Sequence, residues 1–382
     1  MIALKPAARH ELFWKIFCPL IRWPFEKLFS YSHDTHKLEY PSLIVANHVT
    51  NYDPLLVAIS FPKSMAYFVA SEHLFRMGWV SRLISFLVDP IARRKGSKGF
   101  DAAMTCLRRI RAGHSVVLFA EGETTWDGVT QEIYSATTML AKASGGALVT
   151  YRLEGGYLTA PRWGRGIRRG KMHGHVVNVY PPEQLKGMKD PEIRAIIDRD
   201  LYEDAWQRQK DAPVRYKSKH AAERLEVALC ICPKSRRVGT MHSSGDKLSC
   251  ECGMEVRYTE EGLFEPSQPF DTVHKWNLWQ KEQLEKRLFE HGEKLFSDPD
   301  ITLHEILEGH DSKQLETGEL SIDEEALYLA GRRFAHNEIS DLALITARKL
   351  LFTSGDHYYE LRASEPKCLR KYLAIWQTAR KA

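Results

Sequence analysis

The sequence predicts an α/β protein in which a mixed, largely parallel sheet is flanked by helices, followed by a small cysteine-bearing module and a small, mostly β C-terminal domain with a terminal helix. Three observations support this prediction. Short β-like runs alternate with helical stretches between residues 41 and 179, which is the pattern of a parallel sheet with helical crossovers. Four of the seven cysteines lie between Cys230 and Cys252. Short alternating runs separated by turns then fill residues 316–359.

Length and composition limit the number of domains and the class of protein. At 382 residues, and with about 150 residues per domain, two or three domains are expected. The 43% hydrophobic and 27% charged content is that of a folded protein. No apolar stretch approaches the roughly 20 residues that span a bilayer, and Lys15, Arg22 and Pro24 interrupt what would be the apolar core of a secretory signal. We therefore expect a cytoplasmic protein that binds the inner face of a membrane only peripherally.

Residues 1–40 form an N-terminal segment with amphipathic character. Aromatic and aliphatic residues recur at near-helical spacing within 11–29, with cations elsewhere on the helical wheel. Such a helix can lie in a membrane interface. It can equally pack on the following domain, broken at Pro19 and Pro24. The two interpretations are compatible in part.

The alternating pattern belongs to a domain predicted at residues 41–215. Residues 191–210 are expected to form one amphipathic helix that closes it. The predicted strands are Ser42–Ala46, Met65–Val69, Val116–Ala120, Leu148–Leu153 and His175–Val179. The predicted helices are Asp53–Ser60, Trp79–Val88, Lys98–Ala112 and Ile133–Ala143.

A histidine and an aspartate follow the first of these strands. The strand ends at Asn47, and a helix is expected to start at Asp53-Pro54 because Asp caps helices and Pro favours the first turn. His48 therefore lies on the connecting turn, at the carboxyl edge where α/β proteins place their sites. A carboxylate on one ring nitrogen would fix the tautomer, so that the other nitrogen could take a proton from a hydroxyl. The plainer interpretation is a helix cap and a turn residue.

A second strand runs into a carboxylate and a glycine. Glu121 and Gly122 follow the apolar run that begins at Val116. Because parallel strands end at one edge of a sheet, this turn is expected near His48. Glu121 could bind acceptor hydroxyls or hold the active-site backbone, and Gly122 would allow a phosphate to approach closely.

Two clusters of cations suit phosphate groups on lipid, coenzyme A or nucleic acid. Arg93, Arg94, Lys95 and Lys98 form the first. The second, residues 162–171, holds five cations and no acid. A solvated loop is the alternative interpretation of the second cluster.

Four blocks in this order resemble the glycerophospholipid acyltransferase family, typified by lysophosphatidic acid acyltransferase. They are the Asn-His-x4-Asp block at 47–53, Ile-Ala-Arg at 91–93, Phe-Ala-Glu-Gly at 119–122 and the strand at 148–152. The resemblance covers about residues 40–215. It implies that His48 is the general base, that Asp53 is its partner, and that no covalent acyl-enzyme forms. The substrate-binding residues that we predict on this basis are Asn47, Arg93, Lys95, Glu121, Gly122, Thr124 and Arg152.

The third block departs from the family pattern. That block usually continues Gly-Thr-Arg-Ser, with the arginine on the acceptor phosphate, whereas Gly122 is followed here by Glu123 and Thr124. Thr124 cannot supply the positive charge, and Glu123 adds an opposing one. Either Arg93, Lys95, Lys98 or the 162–171 cluster supplies the cation, or the acceptor carries no phosphate there.

The remaining cysteines and the end of the chain indicate two accessory modules. Cys230, Cys232, Cys250 and Cys252, within a module predicted at 225–266, resemble a zinc ribbon in which Ser235 replaces one cysteine and Cys230 compensates. A degenerate ribbon that folds without metal is the alternative. Residues 270–382 comprise a helical linker and a domain that resembles a pleckstrin-homology-like domain, on strand count and terminal helix alone.

The predicted function is therefore transfer of a fatty acyl group from acyl-CoA or acyl carrier protein to a hydroxyl of a lysophospholipid such as 1-acylglycerol 3-phosphate, with no catalytic cofactor. The expected partners are a membrane lipid surface, the acceptor and the acyl donor. A catalytically inactive, lipid-binding adaptor is the alternative. A nucleic-acid-binding zinc protein is a weaker one, because it leaves His48, Asp53 and Glu121 unexplained, and no nucleic acid is expected.

Overall fold

The computed structural model describes residues 6–71, 74–75, 78–93, 100–290, 295–307 and 311–381. Lys95 and Lys98, named above as candidate phosphate ligands, lie outside these ranges. Among the described residues, two structural units divide the chain. The first covers the chain up to residue 162 and residues 166–218, and the second covers residues 163–165 and the chain from residue 219 onward.

A seven-stranded mixed sheet forms the centre of the first unit. Its strands are β1 (Tyr31–His33), β2 (Ser42–Ala46), β3 (Ala66–Ser71), β4 (Ile91–Arg93), β5 (Ser115–Phe119), β6 (Ala147–Glu154) and β7 (Met172–Tyr180). Their order across the sheet is β1-β7-β6-β2-β5-β3-β4. Strands β2 to β6 run parallel, whereas β7 pairs antiparallel with β6 and parallel with β1. The prediction of a mixed, largely parallel sheet is confirmed.

Helices cover both faces of this sheet. They are α1 (Pro6–Phe29), α2 (Asp53–Ser60), α3 (Trp79–Val88), α4 (Phe100–Arg111), α5 (Ser135–Ser144), α6 (Gly156–Thr159), α7 (Pro182–Gly187), α8 (Asp190–Leu201) and α9 (Ala205–Asp211). Alternate residues of β2 point to opposite faces of the sheet. Ile44 packs in a cluster with Trp14 of α1 and Leu56 of α2. Val45 packs in a second cluster with residues of α4, α5 and α8. The double cover explains why β2 is buried at every position.

The structure differs from the sequence prediction in three places. The expected helix at 191–210 is two helices, because Asp204 caps a new helix by accepting from the backbone N–H groups of Trp206 and Gln207. Residues 217–226, a polar stretch whose composition predicts a helical connector, consist of turns with one short 3₁₀ segment, Leu225–Val227. Strands β1 and β4 were not predicted as strands, since three residues are too few to establish a period.

Helix α1 is continuous through Pro19 and Pro24, so the predicted break is wrong. One face packs on the domain, where Trp14 Nε1 donates to the carbonyl of Phe61 at 3.0 Å. Leu20 and Trp23 on the other face are 70% and 66% exposed. Among the described residues, no helix is both long and apolar enough to cross a membrane.

The second unit contains two antiparallel sheets. The strands of the first sheet are β8 (Met241–Ser244), β9 (Lys247–Cys250), β10 (Glu255–Tyr258) and β11 (Phe264–Glu265), and their order is β11-β10-β9-β8. The strands of the second are β12 (Phe296–Ile306), β13 (Ser312–Ile322), β14 (Ala326–Leu329), β15 (Arg332–Ala335), β16 (Ile339–Thr346), β17 (Lys349–Ser354) and β18 (His357–Ala363), and their order is β15-β14-β13-β12-β18-β17-β16. Helix α10 (Val273–Glu290) lies between the sheets in the sequence, and α11 (Arg370–Ala379) follows the second sheet.

The β-rich C-terminal region with a terminal helix agrees with the prediction, whereas its pleckstrin-homology-like identity stays a prediction. The sequence did not reveal β12, whose pairing shifts register between Asp298 and Ile301 and whose Asp300 has a positive φ of 59°. Helix α10 contacts the cysteine-bearing module directly: Trp276 Nε1 donates to the carbonyl of Ile231 at 3.0 Å.

Candidate active site

The turn between β2 and α2 holds His48 and Asp53 in direct contact. His48 Nδ1 lies 2.7 Å from Asp53 Oδ2. Asp53 is the first residue of α2, and Tyr52 rather than Asp53 is its N-cap. The Asp53 carboxylate instead folds back over the turn that precedes it. The pairing that the short spacing indicated is therefore present, through a different local geometry.

Asp53 is fully buried and its orientation is fixed by several donors. The backbone N–H of Val49 donates to Oδ2 at 2.7 Å, and the Thr50 hydroxyl donates to Oδ1 at 2.6 Å. The backbone N–H of Thr50 also reaches both oxygens. Because the carboxylate accepts from His48 as well, the ring carries its proton on Nδ1. Nε2 is then the basic nitrogen.

Stacking fixes the orientation of the His48 imidazole ring at the edge of the sheet. Its ring stacks on Phe119 with centroids 4.4 Å apart and an angle of 23° between the planes. The side chain keeps 18% exposure. In the described part of the chain, Nε2 has no hydrogen-bond partner. A hydroxyl that reached it would meet an oriented base.

Glu121 supports this turn from β5. Oε1 accepts the backbone N–H of His48 at 2.6 Å, and Oε2 accepts that of Gln131 at 2.7 Å. Burial raises the pKa of Glu121 to about 8, although the two backbone bonds act in the opposite direction. Of the two roles considered for Glu121, these contacts match the one that holds the backbone.

Gly122 makes room for an arginine and a tyrosine. Its φ of 73° favours glycine, and a Cβ there would overlap the Tyr134 ring and lie 3.1 Å from Arg93 Nη1. The Arg93 guanidinium lies over that ring, 4.9 Å from its centroid. Strand β4 thus places Arg93 at the Gly122 turn.

A second arginine, Arg162, contacts the residues after Gly122. Arg162 Nη1 lies 2.5 Å from Glu123 Oε2 and donates to the carbonyl of Thr124 at 3.4 Å. Its guanidinium also stacks on the Trp126 ring at 4.3 Å. The Arg162 side chain is only 5% exposed. The charge that Glu123 adds to this turn is therefore balanced by an arginine from a distant loop.

Residues 30–154 match the family model described as Acyltransferase. This part of the chain is an acyltransferase domain. The match confirms the family that the four motif blocks indicated.

The chain is also similar to a solved structure. The crystal structure of the 1-acyl-sn-glycerophosphate (LPA) acyltransferase PlsC from Thermotoga maritima superposes with a TM-score of 0.44 at 17% sequence identity. The superposition covers 57% of this chain and 86% of that one.

Two predicted substrate-binding residues of the acyltransferase domain have partners within the protein. Asn47 is fully buried, and its amide exchanges hydrogen bonds with the backbone of Leu153 at 2.7 and 2.8 Å. It thereby links the end of β2 to β6. Arg152 Nε donates to Glu154 at 3.1 Å, and Glu154 also pairs with Arg208. The described contacts of Arg152 do not include the His48 turn.

The second basic cluster is only in part the solvated loop considered above. Arg162 and Arg168 are turned inward, and Arg168 is 2% exposed. Arg165 is exposed and lies 3.1 Å from Glu223. Only Arg169 and Lys171 are left as exposed cations without a described carboxylate partner. The cluster therefore does not form a continuous basic surface, which weakens the nucleic-acid hypothesis.

The predicted four-cysteine set is not assembled. In the described part of the chain, the group that could hold a metal is Cys232, Cys250 and Cys252, whose sulfur atoms lie within 4.8 Å of one another. The Cys230 thiol is not in this group and instead lies beside the thiol of Cys368. That partner comes from the far end of the chain, so local spacing gave no sign of it.

Sequence reasoning missed Gln131 and Tyr134. Gln131 acts through its backbone N–H, which almost any residue supplies. Tyr134 precedes α5 as its N-cap, and no residue near it in the sequence indicates that it contacts Gly122. Both belong to a loop whose course depends on tertiary packing.

Proposed function

We propose that the acyltransferase domain transfers a fatty acyl group from acyl-CoA or acyl carrier protein to a hydroxyl of a lysophospholipid such as 1-acylglycerol 3-phosphate. The observation that carries the proposal is the 2.7 Å contact between His48 Nδ1 and Asp53 Oδ2, with Nε2 turned away from the carboxylate. The acyltransferase match over residues 30–154 supports the reaction class.

In the proposed reaction the acceptor hydroxyl donates its proton to His48 Nε2 as its oxygen attacks the thioester carbonyl carbon. A C–O bond forms, and the carbonyl oxygen takes up negative charge. The C–S bond then breaks, and the leaving thiolate receives the proton from the imidazolium. Asp53 stabilises the imidazolium while it exists and preserves the ring orientation. No acyl-enzyme is required.

Glu121 and Phe119 are positioning residues in this proposal. Glu121 holds the backbone of His48, and Phe119 fixes the plane of its ring. Because proton transfer depends on a heavy-atom separation of about 3 Å, small shifts of this turn reduce the rate steeply.

Arg93 is the proposed ligand of the acceptor phosphate. It lies at the Gly122 turn, and among the described residues no carboxylate pairs with it. Arg162 is balanced by Glu123, so it contributes less net positive charge. A guanidinium suits a phosphate because it offers paired donors in a plane.

A membrane surface is the proposed site of action. The outward face of α1 presents Leu12, Ile16, Leu20 and Trp23, all at least half exposed. Helix α3 packs beside it and adds Trp79 and Phe86, and Arg9 of α1 stacks on Phe86 at 3.7 Å. Adjacent exposed aromatic and aliphatic side chains suit an interface in which the acceptor lipid already resides.

An acyl-transfer assay tests the reaction. Purified full-length protein is incubated with acyl-CoA or acyl carrier protein as donor and with lysophosphatidic acid or a lysolipid without a phosphate monoester as acceptor. We expect an acylated product and loss of roughly 10²–10⁴-fold in kcat for His48→Ala. His357→Ala is the control, since His357 also has a carboxylate partner, Glu305 at 2.6 Å, but lies in the second unit. Turnover absent with every pair would overturn the proposal in favour of an inactive adaptor. Turnover unchanged in His48→Ala would overturn the assignment of His48 as the general base.

The same assay tests the acceptor. Arg93→Ala should raise KM for lysophosphatidic acid by about tenfold and leave KM for the neutral acceptor unchanged, because one charge-assisted contact is lost. Arg111→Ala removes the same charge at the opposite edge of the sheet, before β5, and should change neither constant. Equal effects of Arg93→Ala on the two acceptors would contradict phosphate binding.

A further inference from the structure

Three cysteine sulfurs and one serine hydroxyl converge in the four-stranded module of the second unit. Cys232 Sγ and Cys252 Sγ are 3.6 Å apart, and both lie within 4.8 Å of Cys250 Sγ. Ser235 Oγ lies 3.8 Å from Cys250 Sγ. We propose that Cys232, Cys250 and Cys252 hold one structural Zn²⁺ as thiolates and that Ser235, or a water beside it, occupies the fourth position.

The separation of Cys232 and Cys252 matches a tetrahedral ion. With Zn–S bonds of about 2.3 Å, two sulfurs of a tetrahedral site lie about 3.8 Å apart. The 3.6 Å between Cys232 Sγ and Cys252 Sγ is close to this value, and Cys250 Sγ lies within 4.8 Å of both. It is far from the roughly 2.05 Å of a disulfide. Thiolates are soft ligands that favour zinc over magnesium or calcium.

Two tight turns present these side chains from opposite sides. In the first, the backbone N–H of Arg236 donates to the Cys232 carbonyl at 2.9 Å, and the N–H of Ser235 points to Cys232 Sγ at 3.5 Å. In the second, the N–H of Gly253 donates to the Cys250 carbonyl at 2.9 Å. Arg236 and Gly253 both have positive φ, 61° and 79°. N–H groups aimed at sulfur stabilise thiolates, and paired turns of this kind bring ligands together around one ion.

Cys230 is excluded from the set by its surroundings. Its backbone N–H donates to Gln280 Oε1 of α10 at 2.9 Å, its thiol lies beside that of Cys368, and its sulfur is not in the group within 4.8 Å. The site therefore has three sulfur ligands rather than four. A hydroxyl or water exchanges more readily than a thiolate, so the fourth position is the labile one.

Nearby charges favour an anionic cluster. Three thiolates exceed the charge of one Zn²⁺ by a single negative charge. Lys234 and Arg236 belong to the first turn and offset this excess. Arg237, which adjoins that turn, is paired with Glu251 at 3.3 Å. Thr240 Oγ1 lies 3.2 Å from Cys250 Sγ and can donate to it.

Metal analysis of the full-length protein tests the site. Protein purified under reducing conditions from zinc-supplemented cells should contain about one zinc per chain by mass spectrometry. Cys232→Ser, Cys250→Ser and Cys252→Ser should each lose it, whereas Cys230→Ser should retain it. Ser235→Cys supplies a fourth thiolate. It should release zinc more slowly to a chromogenic chelator and, with Co²⁺, strengthen the thiolate charge-transfer band by about a third.

Three results would overturn the proposal. They are an absence of zinc in the unmodified chain, a loss of zinc in Cys230→Ser equal to that in Cys252→Ser, and zinc release from Ser235→Cys at the unmodified rate. The Cys230→Ser and Ser235→Cys comparisons remain decisive even where loss of a ligand prevents folding.

Discussion

Glu121 bridges the backbone N–H groups of His48 and Gln131 with its two carboxylate oxygens, at 2.6 and 2.7 Å. The bridge joins the turn after β2 to the loop that follows β5. His48, the candidate base, is thus positioned by the buried side chain of Glu121, which bonds to its backbone and not to its ring. Removing the acid should affect both stability and activity.

The titration of Glu121 predicts a pH-dependent stability. Burial raises its pKa from 4.5 to about 8, so the folded protein holds a proton that the unfolded chain releases between these values. The free energy of unfolding should therefore fall as pH rises from about 4.5 to about 8, and this contribution should be absent in Glu121→Gln. Urea unfolding at several pH values measures both proteins. Parallel profiles for the two would contradict the prediction.

Asp53→Asn should destabilise the protein more than His48→Ala does. The asparagine amide replaces one acceptor oxygen with an NH2 donor, so it can no longer accept from both the Val49 N–H and the Thr50 hydroxyl. One buried donor is then left unsatisfied, at a cost of about 1–3 kcal/mol. His48 is partly exposed and its side chain makes one described hydrogen bond. Both variants should lose acyl transfer, but urea midpoints should separate them. Equal midpoints would show that the carboxylate serves the ring alone.

Gly122→Ala should destabilise more than a glycine substitution in open space. Gly145 is the matched control, because its φ of 72° is nearly that of Gly122 and nothing lies within 4 Å of an added Cβ. Both alanines incur about 1–2 kcal/mol of backbone strain, and only Gly122→Ala also overlaps Tyr134. Replacing Tyr134 by alanine in the Gly122→Ala background should recover the difference. The thermal midpoints of these variants measure the effect, and equal losses in the two single variants would refute it.

Membrane binding should depend on the exposed face of α1. Trp23→Glu should weaken binding to anionic vesicles at least about tenfold, since burial of such a side chain contributes roughly 2 kcal/mol. Leu278→Glu is the control: Leu278 is 48% exposed on α10 of the second unit. Vesicle co-sedimentation gives the two affinities. A similar loss in both variants would indicate a general effect of added charge.

The sequence could reveal contacts that depend on local geometry or on the edge of a parallel sheet. His48 and Asp53 share one short turn, and Glu121 ends a strand beside β2, so both were predictable. The partners Arg162 and Cys368 were not, because each arrives from a loop or helix that is remote in the sequence. Strand β12 was hidden for a related reason: Pro299 and its flanking aspartates break the alternation, and a bulge absorbs them.

The pair formed by Glu123 and Arg162 makes one wall of the Gly122 turn electrically neutral. An incoming anionic lipid would then be attracted there chiefly by Arg93. Salt screens the attraction between an anionic lipid and each cation of the site. The KM of an anionic acceptor should consequently depend on ionic strength as expected for one cation, and the KM of neutral lysolipids should hardly change with salt.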